Sequence, residues 1–326
     1  MTVNDRTVGV MEGQSGVLGI NYTATFGKSM MSDRRLMYVN PNHGDATDNG
    51  NTGENPEQPF LTVAAALART RDNRGDVIFV GQNDAWTYGG GSTWQTAIAE
   101  EVTITTEGVS IIGTNPGGLG VYWNPVTAAG AGTCITVHAM DVLISGFAFE
   151  GGAEGGTGIY ALWDGATMFG ENMIVRDCYF DSDMDIGIQL NFSWNCEISG
   201  CNFQECDSVG IYCDTADSGA DYNRIHHNIF HDCGAGGIGA ISLQGCSENH
   251  IWANSIFNGS AQGGGAATDE GIDTAGGGDN QVFDNYFSCA NAGVGAGDYD
   301  DLNSASATDA WVANHVMTGL AITNPA

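Results

Sequence analysis

Asp181, Glu205 and Asp232 each follow a recurring Phe by one or two residues in three successive repeats of this chain. Carboxylates held in such a row can supply the acid and base that cleave a glycosidic bond, one protonating the leaving oxygen while the other activates water or attacks the sugar. With 39 acidic residues in the chain some alignment arises by chance, so the row gives groove candidates and no catalytic set is assigned. Trp163, Trp194, Trp252 and Trp311 could stack on sugar rings if exposed, although packing against loops or a neighbouring subunit is the commoner fate of Trp. His226, His227 and His231 lie close in sequence with Asp232 beside them. A zinc site needs a third or fourth ligand in register, and a polar surface cluster is the simpler account.

Two further groups are weaker. Asp45, Asp48, Asn49 and Asn51 make an oxygen-rich stretch, but their spacing does not match the twelve-residue calcium loop. A solvated turn is expected there, with calcium the one cofactor left open. The nine cysteines are odd in number, and no two are separated by only two residues, which agrees with reduced thiols rather than a metal cluster. Cys178 and Cys201 occupy matched repeat positions, with Cys196, Cys206 and Cys213 nearby, as an interior ladder of small apolar side chains would require.

The elements that must position these residues come from a repeat. An aliphatic anchor is followed three residues later by Cys, Asn or a similar residue and two further on by Phe or another apolar residue. It recurs as Ile144/Phe147/Phe149, Val175/Cys178/Phe180, Ile198/Cys201/Phe203, Ile225/Asn228/Phe230, Ile251/Asn254/Ile256, Val282/Asn285/Phe287 and Val312/His315/Met317. A Gly with Ile or Val keeps step about a dozen residues later, at Gly158-Ile159, Gly187-Ile188, Gly210-Ile211, Gly237-Ile238, Gly271-Ile272 and Gly293-Val294. Asn172, Asn195, Asn223, Asn249 and Asn280 precede the anchors, where Asn tolerates the left-handed backbone of a sharp bend and stacked copies can bond side chain to side chain. Apolar residues two apart in short runs split by Gly and Asn exclude a helical repeat and predict a coil of three short strands per turn.

This repeat resembles that of the right-handed parallel β-helix, the fold of pectate lyases, many polysaccharide-active enzymes and phage tailspikes. The predicted fold is an all-β, single-stranded right-handed parallel β-helix. Taking Phe79, Ile111 and Ile144 as equivalent points predicts about nine coils. Thr62 is placed to cap a short helix with Val63, Ala66 and Leu67 on one face, and such a helix would cover the open end of the first coil. That segment, with Asp76-Val77-Ile78-Phe79-Val80 after it, resembles the N-terminal entry of the pectate-lyase-like family. Pectate-lyase chemistry would imply calcium-binding Asp residues with an Arg or Lys base. After Arg74 only Arg176 and Arg224 are basic, and neither sits in a lyase motif, so no lyase residues are carried over.

The domain organisation expected is an extended arm over residues 1–36, an entry loop with capping helix over 37–75, and a solenoid over 76–326. The net charge is -30, yet the arm carries Arg6, Lys28, Arg34 and Arg35 against Asp5, Glu12 and Asp33, or +1, which leaves -31 for the rest. Such a body repels nucleic acid, anionic membranes and polyanionic sugars. No basic segment followed by an apolar run marks a signal, and no apolar stretch is long enough to span a membrane.

These features together predict a non-enzymatic virion structural protein made in a host cytoplasm. It would be a capsid decoration knob or spike at the virion surface, a homotrimer anchored to a capsid or tail protein through Arg6, Tyr22, Phe26, Lys28, Arg34 and Arg35. It resembles phage β-helix decoration proteins and tailspikes in architecture. The alternative is a tailspike or secreted β-helix protein that binds or hydrolyses a host polysaccharide as a glycoside hydrolase or lyase, using the carboxylate row and exposed Trp residues.

Overall fold

The computed structural model describes residues 34–81, 98–114, 121–125, 132–151, 156–163, 165, 170–181, 184–213, 219–233, 239–258, 271–289 and 308–316. Among them the chain winds as a right-handed parallel β-solenoid whose turns feed three sheets. The first sheet has ten strands, from Leu36–Val39 to Ala310–Val312. The second has nine, from Ile98–Ala99 to His315–Val316, and the third seven, from Val102–Ile104 to Ile272–Asp273. The strands are two to five residues long, so each buries only a few side chains and gains a core by stacking on its neighbours.

Two inward rows show how the repeat works. Ile111, Ile144, Val175, Ile198, Ile225, Ile251 and Val282 lie in register on the first sheet. Phe149, Phe180, Phe203 and Phe230 stack on the second, the last three with ring centroids 4.6 Å apart and planes within 3°. The Gly of the Gly-Ile element belongs to the third sheet and faces this stack. A Cβ on Gly187 would lie 2.6 Å from the Phe203 ring, and one on Gly210 2.7 Å from Phe230. In the following turn the ring is replaced by Ile256, and Ala240 takes the glycine's place, in register through Ile241 opposite Ile211.

Between first and second sheets the chain turns through a single left-handed residue. Asp177, His227, Ala253, Asp284 and Ala313 hold φ between 52° and 57° there, and Gly146 and Gly200 hold 78° and 65°. This bend is an unfavourable conformation for residues with a Cβ, and the stacked turns around it hold it in place.

Several expectations are corrected. Among the described residues five turns, from Leu143–Ser145 to Ile272–Asp273, combine all three strands with the short left-handed bend, which corrects the expected nine or so coils. Nor do the described residues include a substantial capping helix. Val63–Leu67 is a single five-residue turn, in which Thr62 Oγ1 accepts from the Ala65 amide and Glu100 accepts from Val63 and Ala64. Ile78, not Phe79, pairs with Ile111. At the far end Trp311, not Val312, continues the anchor row, with Val316 two residues past Asn314. Gly237-Ile238, Gly293-Val294 and Met317 lie outside the described residues. Among the expected bend asparagines, Asn172 and Asn195 are left-handed, whereas Asn223, Asn249 and Asn280 are buried inside and Tyr222, Glu248 and Asp279 make the bend.

Of the arm, Arg6, Tyr22, Phe26 and Lys28 lie outside the described residues. Arg35 stands beside the first strand, its side chain 3.5 Å from Glu54 and its amide donating to Asp76. No helix among the described residues is long and apolar enough to cross a membrane.

Candidate functional site on the second sheet

The outer face of the second sheet gathers the candidate carboxylates. Tyr179, on the strand Tyr179–Phe180, lies in register with Asn202 of Asn202–Gln204, and Asn202 with Ile229 of Ile229–His231. Gln204 pairs with His231, and Asp181, one residue past Phe180, falls in that same outward row. Glu205 and Asp232 come one residue later, and both are left-handed at φ 52°. The row read from sequence is therefore two adjacent columns: Asp181 beside Gln204 and His231 in one, Glu205 and Asp232 in the next.

Hydrogen bonds tie the columns together. The Tyr179 hydroxyl donates to Gln204 Oε1 at 2.6 Å and lies 3.4 Å from Asp181 Oδ1. The Glu205 amide donates to the His231 carbonyl, and His231 Nδ1 lies 3.4 Å from Asp232 Oδ2. The Asp232 side chain is 5% exposed and that of His231 48%, so one carboxylate is recessed behind an accessible imidazole. Burial, and then the Asp181 carboxylate, push the Tyr179 phenol well above its usual range. Tyr122 is raised as well, by burial and then by Asp181 and Glu150. Both phenols thus stay neutral donors facing an anionic patch, an arrangement suited to hydroxyl-rich, uncharged ligands.

Glu205, His231 and Asp232 can each offer one donor atom, and the three donors lie within 4.8 Å of one another. This is the set among the described residues that could hold a divalent cation. The expected histidine cluster is divided: the left-handed bend at His227 leaves His226 on the first sheet's outer face and His231 on the second's. His226 stacks on Trp252 at 4.2 Å, its Nδ1 lies 2.9 Å from that of His227, and burial lowers its pKa. The calcium candidates do not converge. Both Asp48 oxygens accept from Leu61 and Thr62, while Asn51 donates to the Asp45 and Pro59 carbonyls.

The tryptophans also scatter. Trp311 is an interior rung, Trp163 meets Phe192 edge-on, and Trp252 lies between His226 and Phe283 on the first sheet. Sequence reasoning missed the first sheet's outer groove of about 510 Å³, lined by Asp141, Asn172, Tyr222, Arg224, Glu248 and His250 among others. Its polar groups are bonded to one another: Arg224 meets Glu197 at 3.0 Å, the Tyr222 hydroxyl donates to Glu248 and the Asn172 amide to Asp141. The signal was the run Asp141, Asn172, Asn195, Tyr222 and Glu248, one left-handed residue before each first-sheet strand. Also missed were Tyr122, Tyr179 and Gln204, found only through strand register.

Residues 162–268, about a third of the chain, match the family model described as periplasmic copper-binding protein (NosD). No curated protein matches. Among solved structures, the selenomethionine and native forms of the GH136 lacto-N-biosidase from Eubacterium ramulus show TM-scores of 0.41 and 0.38 at 10% and 12% identity. Both alignments cover 86% of this chain, with 67% and 68% of the other. Likeness at that level carries no argument for activity.

These findings correct the virion reading. The matching family model describes periplasmic proteins, which overturns the expected capsid decoration or spike role, the capsid or tail partner, the homotrimer built on it and the virion-surface location. The non-enzymatic expectation is corrected too, since carboxylates and an imidazole that sequence left scattered meet on one face.

Proposed function

We propose that the protein is a carbohydrate-active β-solenoid working outside the cytoplasm, which binds or hydrolyses polysaccharide on the outer face of its second sheet. One observation carries this reading: Asp181, Glu205 and Asp232 reach the same face from three successive turns, beside the neutral phenol of Tyr179. Asp181 and Glu205 directly follow neighbouring strands, and the Tyr179 hydroxyl links Asp181 to Gln204, the residue before Glu205. In a hydrolysis one carboxyl protonates the leaving oxygen and the other, ionised, attacks the sugar carbon or draws a proton from water. The amide of Gln204 and the phenols orient sugar hydroxyls. A chain of net charge -30 disfavours acidic sugars, so the substrate class is a neutral polysaccharide. The periplasmic description of the matching family supports a site outside the cytoplasm.

The test is a screen of neutral polysaccharides for binding and for reducing ends, followed by Asp181→Asn and Glu205→Gln. A glycan turned over by the parent protein should lose on the order of a hundredfold or more in rate with either variant, as removal of an acid or base does. A glycan only bound should lose affinity instead. If no neutral glycan is bound or cleaved, or if both variants match the parent, this reading fails.

A further inference from the structure

We propose that Glu205, His231 and Asp232 form a binding site for a divalent transition cation of the zinc class. The three residues come from two adjacent turns, so the site is defined by the coil register rather than by a loop. The strand Asn202–Gln204 pairs with Ile229–His231, Gln204 opposite His231, and the Glu205 amide donates to the His231 carbonyl. That bond fixes the carboxylate of one turn over the imidazole of the next. Asp232 follows His231 directly, and its left-handed φ of 52° brings Oδ2 within 3.4 Å of the imidazole Nδ1.

The donor set selects the metal class. Calcium and magnesium take oxygen ligands, whereas an imidazole nitrogen with carboxylate oxygens suits zinc and its first-row neighbours. The donors lie within 4.8 Å of one another, and rotation of the exposed His231 and the half-buried Glu205 side chains around the recessed Asp232 brings them to bonding distance. Three protein ligands leave at least one coordination position open, the arrangement of a reactive rather than a purely structural zinc. Sugar hydroxyls or water could fill that position. The surrounding charge helps, because Asp181 lies on the same face and the chain carries -30 overall. The buried cysteines do not compete: burial holds the Cys196 thiol up to about 12 and raises Cys201 as well, so both stay protonated.

The site shares Glu205 and Asp232 with the proposed carbohydrate face, but its test uses no sugar, so the two readings fail separately. The full chain, stripped with chelator, is titrated with Zn²⁺ alone by calorimetry and followed by thermal unfolding. One saturable site is expected, with Zn²⁺ raising the unfolding temperature and Ca²⁺ failing to compete. His231→Gln, at an exposed position, and Glu205→Gln, at a half-buried one, should each weaken binding on the order of tenfold or more while unfolding like the parent protein in chelator. Absence of saturable binding overturns the proposal, as does parental affinity in both variants or displacement by equimolar Ca²⁺. A variant that unfolds early in chelator is set aside in favour of the other.

Discussion

Two lengths of the solenoid interior solve one problem with different chemistry. At the corner between first and second sheets the inward residue is Cys178 and then Cys201 in earlier turns, but Asn228, Asn254, Asn285 and Asn314 in later ones. The corner before the first sheet changes in the same way, from Cys196 to Asn223, Asn249 and Asn280, ending at Asp309. In the later turns each amide oxygen accepts the backbone N–H of the rung before it, as Asn254 Oδ1 does from Asn228 at 3.1 Å. In the earlier turns the sulfur of Cys201 takes the Cys178 amide and that of Cys196 the Met173 amide. A corner needs an inward acceptor, and either a thiol or an amide will serve. The amide adds donors, since Asn254 Nδ2 also reaches the Ile225 carbonyl and Asn285 Oδ1. The thiol adds only a weak donor and, unlike the amide, a proton that can leave.

That last difference gives the largest expected effect. Burial, against a smaller opposing hydrogen bond from Met173, raises the Cys196 thiol to about 12 from an ordinary 9.0. For an acid whose folded pKa is raised, stability is complete below the unfolded value and falls as pH rises toward the folded one. Unfolding free energy should therefore hold up to about pH 8 and fall between 9 and 12, by about 4 kcal/mol for Cys196 alone at the upper end. Cys201, raised by burial and by Cys178, adds to the loss. Hydrogen exchange followed across this range should show the earlier turns opening while the turns of Asn254 and Asn285 stay protected. Uniform loss along the rod would mean that the thiols do not set the alkaline limit.

The second effect breaks the amide side. Asn254→Ala removes the acceptor of the Asn228 amide and the donor to the Ile225 carbonyl, both fully inside. Two orphaned backbone groups at about 1–3 kcal/mol each predict a loss of about 3 kcal/mol, measured by denaturant unfolding. A change under about 1 kcal/mol would show that water enters and replaces the amide.

These ladders were largely legible beforehand, because an interior row repeats with the turn and appears as a period in sequence. Cys178 with Cys201 and the Val, Ile and Phe rows were read that way. The period blurs where the chain leaves the rod, and there the reading slipped by one residue, at Phe79 for Ile78 and Val312 for Trp311. It also gave Asn223 the bend that belongs to Tyr222, since adjacent residues share the spacing while one points in and the other turns the chain. The candidate site was less legible for a related reason. Asp181, Glu205 and Asp232 could be listed, but whether they share a column depends on a single left-handed residue after Gln204 and after His231. The division of His226 from His231 depends on another, at His227. Left-handed Glu, Asp and His are uncommon, and nothing in composition announces them.

The smallest effect tests whether the thiol is a full substitute for the amide. Cys201 is 1% exposed, and its sulfur lies 3.8 Å from the Val175 carbonyl and 3.6 Å from that of Ser199, weak contacts at best. Cys201→Ala removes one atom and the acceptor for Cys178, but orphans no carbonyl that depended on a strong donor. A loss of about 1–2 kcal/mol is expected, from one unmet amide and a small cavity. The variant should also recover part of its deficit relative to the parent as pH rises from 9 to 12, because it no longer has that proton to lose. A loss equal to that of Asn254→Ala would mean that sulfur bonds the corner as strongly as an amide does, and the two lengths of the interior would then differ only in their response to base.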